Sequence, residues 1–273
     1  MTLSRLVHDR KGSGEPVVLI HGIGHRRQAW DPIVHHLAEK YEVITVDLAG
    51  FGDSPAYPKS ATYDMDTACE NLAENFALWG IEKPHVVGNS LGGVIALELG
   101  ARGLASSVTA LSPAGFFGKI NRFQAFILLF ILRIASQLPN RMLLAASKWK
   151  LGRKVIGFPL YEHAERFTAE EVYGDALALK NASAFERTIK AGIRYKFDSA
   201  VPVPTTIAWG TKDRILPYSQ SATAQERLPN ARHVALPHCG HVPMIDHPEL
   251  VVRVIDRTIG ETPAGESPLA ETA

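Results

Sequence analysis

Short apolar runs rich in β-branched residues recur along the chain, separated by longer stretches whose apolar positions repeat at helical spacing. Val17-Val18-Leu19-Ile20, Val43 to Val46, His85 to Val87, Val108 to Leu111, Thr205 to Trp209 and His233 to Leu236 are too short for helices. They match strands covered on both faces. Trp30/Ile33/Val34/Leu37 and Met65/Cys69/Leu72/Phe76/Trp79 each trace one helical face, and Leu250/Val251/Val254/Ile255 traces another behind Pro248 in a first-turn position. This alternation predicts an α/β fold with a mostly parallel central sheet flanked by helices.

Between about Phe116 and Ser199 no strand-like run occurs and the pattern reads as several helices. The expected organisation is therefore one core made of residues 1–115 and 200–259, with a helical cap inserted over 116–199. Gly260 to Ala273 mixes Pro, Gly, Ser and Glu with almost no large apolar side chain, so 260–273 is expected to be a disordered tail.

Composition adds mainly exclusions. Hydrophobic residues make up 46% and charged residues 21%, as in ordinary globular proteins. The net charge of +1 offers no long-range field for nucleic acid or an anionic membrane surface. Cys69 and Cys239 do not make a disulfide framework, and the first fifteen residues are polar and charged, without the apolar core of a signal peptide. A cytoplasmic location is the expectation, with no transmembrane segment and no nucleic acid partner; the oligomeric state is left open.

The strongest chemical signal is Gly88-Asn89-Ser90-Leu91-Gly92-Gly93, directly after Val86-Val87 and directly before Val94-Ile95-Ala96-Leu97. Strand, sharp turn and helix in this order form an elbow that presents a serine, and the flanking glycines let strand and helix approach. A serine hydroxyl needs a base to become a useful nucleophile. His241 follows the last apolar run, on the loop Pro237-His238-Cys239-Gly240-His241 at a strand's carboxyl end, where open α/β sheets place their sites. His238 and His247 are its rivals, and neither has the preceding glycine. Asp213, past Thr205 to Trp209, supplies the carboxylate that would hold the imidazole. Catalytic residues Ser90, Asp213 and His241 are thus expected. His21-Gly22-Ile23-Gly24 follows the first clear strand, and the backbone N–H groups of Ile23 and Leu91 are the expected oxyanion donors, with His21 bracing the loop. No histidine pair has the spacing of a helical metal motif with a third ligand, so neither metal nor cofactor is expected.

HGIG at His21, DLAGFGDS from Asp47, GNSLGG at Gly88, WGTKD at Trp209 and CGHVPMIDHP from Cys239 together resemble the α/β-hydrolase superfamily, in order and over most of the chain. The resemblance implies the α/β-hydrolase fold with an inserted helical cap, a serine hydrolase acting on small-molecule esters, and a structural Asp47 that shapes a loop beside the site. It gives Asn89 no chemistry. Family members with an aspartate nucleophile, the dehalogenases and epoxide hydrolases, do not match Ser90. The elbow is also similar to that of meta-cleavage-product hydrolases, which cleave C–C bonds in dienoic keto acids but usually carry Trp after the catalytic histidine, where Val242 stands here. A low-turnover small-molecule receptor of the same fold is the remaining alternative.

Within the cap, Ala125 to Leu132 (AFILLFIL) is an unbroken apolar run, shorter than the ~20 residues that span a bilayer. It fits a helix simply buried against the core. It equally fits a roof over Ser90, in which Phe126, Leu129 and Phe130 line an apolar substrate pocket and favour hydrophobic acyl groups over acetyl. Shallow contact with lipid would need a polar face that the run itself lacks.

Overall fold

The computed structural model describes residues 3–260. Residues 261–273, nearly all of the expected tail, lie outside the described residues.

Seven strands form one sheet: β1 (His8–Lys11), β2 (Pro16–Ile20), β3 (Glu42–Val46), β4 (His85–Asn89), β5 (Ser107–Leu111), β6 (Thr205–Gly210) and β7 (Arg232–Leu236). Their order is β1-β3-β2-β4-β5-β6-β7, and every pairing except β1 with β3 is parallel. Six strands coincide with the apolar runs. The seventh, β1, reads His-Asp-Arg-Lys and is mostly exposed, so hydrophobic pattern could not announce it. Its charges suit an edge that must not recruit another chain.

Alternation within each strand divides the core in two. Val18 and Ile20 of β2 join Ile44, Val46 and Val86 on one face, whereas Val17 and Leu19 join Val43 and Val87 on the other. Helices α1 (Asp31–Leu37) and α11 (Pro248–Ile259) cover the second face through Ile33, Leu37, Val251 and Ile255; α2 (Met65–Leu78) and α3 (Leu91–Ala101) cover the first. Side chains this fully enclosed each stabilise by about 1.5–3 kcal/mol, and truncating one such as Leu19 to Ala costs roughly 2–5 kcal/mol. Asp64 caps α2 by accepting from the Thr67 N–H at 2.9 Å, and Pro248 opens α11 where its missing N–H costs nothing.

Between β5 and β6 lie α4 (Lys119–Ser136), α5 (Asn140–Lys148), α6 (Lys150–Gly157), α7 (Ala169–Asn181) and α8 (Phe185–Gly192), with no strand among them. Helices α9 (Gln220–Arg227) and α10 (Pro243–Asp246) complete the set. Among the described residues no single helix is long and apolar enough to cross a membrane.

Candidate active site

Ser90 sits between β4 and α3 with φ 56° and ψ −113°, a conformation a non-glycine residue adopts only under constraint. Three bonds hold it there. Its N–H donates to Leu111 O at 2.9 Å, and its carbonyl accepts from Val94 N at 3.1 Å and Ala114 N at 3.0 Å. The flanking glycines are obligatory: a Cβ on Gly88 would lie 2.0 Å from Gly92 O, and one on Gly92 would lie 2.1 Å from Ile20 O. The turn therefore stays tight and puts Ser90 at the positive end of the α3 dipole.

At the carboxyl ends of β6 and β7 the two other expected residues meet. His241 Nδ1 and Asp213 Oδ2 are 2.7 Å apart, both side chains almost fully buried. The second carboxylate oxygen of Asp213 accepts from the N–H groups of Ile215 at 2.9 Å and Leu216 at 2.8 Å, so the acid is locked in orientation. An anionic acceptor at Nδ1 places the ring proton there and leaves the Nε2 lone pair open. Gly210 makes the approach of the two loops feasible, since a Cβ there would sit 2.1 Å from Gly240 O. Neither rival histidine joins this pair: exposed His238 donates its backbone N–H to Thr211 Oγ1, and His247 precedes α11 as its N-cap.

Three anchors of the histidine loop escaped sequence reasoning. Asn89 donates through Nδ2 to the His241 carbonyl at 2.8 Å and to Leu111 O at 3.2 Å. Leu160 O, from the segment between β5 and β6, accepts from the N–H groups of His241 at 2.8 Å and Val242 at 3.2 Å. Asp246 accepts from Gly240 N at 2.7 Å and His163 N at 3.0 Å, and both its oxygens lie within 3.1 Å of Glu162 N. Burial raises the Asp246 carboxyl against the pull of those N–H groups. The available signal was the string Cys239 to Pro248: a glycine loop has N–H groups that need acceptors, and Asp246 is its one carboxylate.

The first glycine loop is braced as expected. His21 is fully enclosed; burial outweighs the nearby Asp47 and holds its pKa down at about 4. The neutral ring pairs Nδ1 with Gly22 O at 2.7 Å and accepts the Leu48 N–H at Nε2, 3.0 Å. Asp47 in turn accepts from Arg27 N, Arg27 Nη1 and Asp53 N at 2.6, 2.5 and 2.9 Å, a structural arrangement that closes the DLAGFGDS loop. A Cβ on Gly22 would be only 3.2 Å from Ser90 Cβ, so this loop lies directly against the elbow. Among the described residues neither the Ile23 nor the Leu91 N–H has a hydrogen-bond acceptor, and both residues line a small cavity together with Ser90.

That cavity, about 70 Å³, is walled by apolar side chains including Phe126 and Leu129 of α4, and among the described residues it carries no charged one. Ile23 and Leu129 also line a second, far larger cavity of about 910 Å³ between α4, α5, α6 and α7. Phe130 corrects the expected trio: it lines neither cavity. One helical step turns it about 100° from Leu129, onto the outer side of α4, where it is half exposed and meets Phe185 edge-on. His25, Tyr161 and Asp175 form a polar group in the larger cavity's wall, linked by contacts of 3.0 Å (His25 Nε2 with Tyr161 Oη) and 3.3 Å (Tyr161 Oη to Asp175 Oδ2).

Known proteins share this frame. Lipase 3 of a Moraxella species is 29% identical over 248 residues, covering 86% of this chain and 74% of its own. The pimeloyl-[acyl-carrier protein] methyl ester esterase of Legionella pneumophila is 26% identical over 92% of this chain and 98% of its own. Among solved structures, a bacterial membrane phospholipase A superposes with a TM-score of 0.76 at 25% identity, over 94% of this chain and 85% of its own. The model of the alpha/beta hydrolase family matches residues 17–254, and with the sheet order and the elbow already described, the chain belongs to that family.

Proposed function

We propose that this protein is a serine hydrolase that cleaves carboxylic esters of hydrophobic substrates through an acyl-enzyme on Ser90. The observation that carries the reading is the buried 2.7 Å pair of His241 and Asp213, set at the carboxyl ends of the strands as is the serine on its strained elbow. His241 Nε2 takes the Ser90 proton as Oγ attacks the ester carbonyl. The oxyanion that forms is met by the Ile23 and Leu91 N–H groups, which have no other acceptor among the described residues. Collapse expels the alcohol with the proton from His241. Water, deprotonated by the same imidazole, then releases the acid and restores Ser90.

The wall chemistry selects the substrate class. Among the described residues no Lys or Arg lines either cavity, so a dienoic keto acid would bring its carboxylate into an apolar enclosure without a counter-charge. A neutral ester avoids that penalty, which favours esterase over C–C hydrolase chemistry. Residues 116–199 act as the cap in this reading. Phe126 and Leu129 flank the reacting carbonyl, and the larger cavity takes an extended apolar chain. The names of two relatives, Lipase 3 and a pimeloyl-[acyl-carrier protein] methyl ester esterase, accord with ester cleavage.

The test is turnover of chromogenic esters of increasing acyl length by the wild type and by Ser90→Ala. Rates should favour the longer, hydrophobic acyl groups over acetate and vanish in Ser90→Ala. A folded wild type that turns over no ester in the series would point to the receptor-like alternative.

A further inference from the structure

Residues 119–161 contain eight Lys and Arg and not one Asp or Glu. The chain's net charge of +1 thus conceals +8 in this segment offset by −7 elsewhere. Among the described residues the same segment holds most of the exposed large apolar side chains. On α4, Phe123, Ile127, Phe130, Ile131 and Ile134 follow helical spacing along one outward side, with Phe123 and Ile134 each about 70% exposed, while Ala125, Leu129 and Leu132 pack inward. The helix is apolar on both sides, and only one is covered.

The outward side does not stand alone. Ile131, Leu138, Met142, Trp149, Leu151 and Val155, from α4, α5, α6 and their connections, are all exposed and all line the 910 Å³ cavity, so they form the rim of its mouth. Cations alternate with this rim: Arg141 precedes Met142, Lys148 and Lys150 flank Trp149, and Lys154 precedes Val155. These four are exposed, and among the described residues none has a carboxylate partner. Helices α4 and α5 meet at 106°, which stops the pair from forming one straight span.

An apolar rim studded with unpaired cations is matched by a surface that is apolar below and anionic above. We propose that the face made by α4, α5 and α6 docks on an anionic lipid bilayer, with the cavity mouth turned toward the membrane. The apolar rim and Trp149 enter the interface, while the lysine and arginine stems extend so that their charges meet lipid phosphates. The polar face missing from the α4 run alone is supplied by its neighbours, and the whole-chain charge balance hid it. This inference goes beyond the hydrolase reading and does not rest on it.

The test is flotation of the full chain with vesicles of phosphatidylcholine, alone or mixed equally with phosphatidylglycerol. The protein should float with the mixed vesicles, release at high salt, and shift its tryptophan emission to the blue as Trp149 leaves water; Trp30 and Trp209 are already buried. Replacing Arg141, Lys148, Lys150 and Lys154 with Gln should weaken partition to mixed vesicles by up to roughly three orders of magnitude. Phe123→Ser with Ile134→Ser should lower it independently, with circular dichroism and turnover of a soluble ester unchanged. Ser90→Ala should bind as the wild type does, which separates docking from catalysis. Protein that stays unbound with both vesicle types, that binds both equally and ignores the Gln substitutions, or that is a dimer with Trp149 already shielded from a quencher would overturn the proposal.

Discussion

Asn89 Nδ2 donates to the main-chain oxygen of His241 at 2.8 Å, joining the residue beside the candidate nucleophile to the candidate base across 152 positions. One side-chain amide thus fixes the elbow and the histidine loop relative to each other. Asn89→Ala should lower kcat by about tenfold to a hundredfold, since small displacements of reacting groups carry penalties of that size. KM should stay near the wild-type value, because Asn89 lines neither cavity. A wild-type kcat with only a lowered thermal midpoint would mean that the amide merely stabilises the fold.

Asp246 ties the same loop to Glu162 and His163. Asp246→Asn keeps the shape but presents N–H groups where N–H groups already point. A loss of about 1–3 kcal/mol follows from an unsatisfied buried donor, and the thermal midpoint should fall by roughly 2–4 °C per kcal/mol. Calorimetry of the variant, with kcat measured well below its midpoint, checks both the stability and the loop.

These two anchors mark where the sequence stopped being informative. Ser90, Asp213 and His241 stood out because each follows an apolar run at a strand end, and hydrophobic pattern locates strand ends. Asn89 acts through a backbone group brought to it by the fold, and no local pattern encodes a bond 152 residues long; for Asp246 only the bond to Gly240 is local, and those to Glu162 and His163 are made by the fold. Strand β1 was invisible for a related reason: its four polar residues hold the edge through backbone pairing with Val43 to Val46. In α4 the run AFILLFIL makes a helix legible but not which side meets the core, and Phe130 faces out.

His21 gives stability a pH dependence. Its pKa is about 4 when folded against 6.5 in the unfolded chain, so between these values the unfolded state binds more protons. Stability is therefore full above about pH 6.5 and falls by up to about 3 kcal/mol as pH drops toward 4. Denaturant titrations should show this slope in the wild type and a flatter one in His21→Asn. The same slope in both would place the acid sensitivity elsewhere.

Ile23 and Leu129 line both cavities, so a larger side chain at Leu129 would stand between them. Leu129→Trp should raise KM for long acyl esters severalfold more than it raises that for acetate. Equal effects on both would show that the acyl chain does not enter the larger cavity.

Asp213→Asn tests the orienting carboxylate. The amide cannot hold the Nδ1 proton as the anion does, so turnover should fall by roughly 10³–10⁴ with the fold retained. Near-normal turnover would assign the role to another carboxylate.

The most direct measurement is the site of covalent capture. Incubating the protein with an organophosphonate ester and mapping the product by mass spectrometry should give one adduct per chain, on the peptide carrying Ser90, with parallel loss of ester turnover. An adduct confined to another residue, or turnover that survives full labelling of Ser90, would contradict the account.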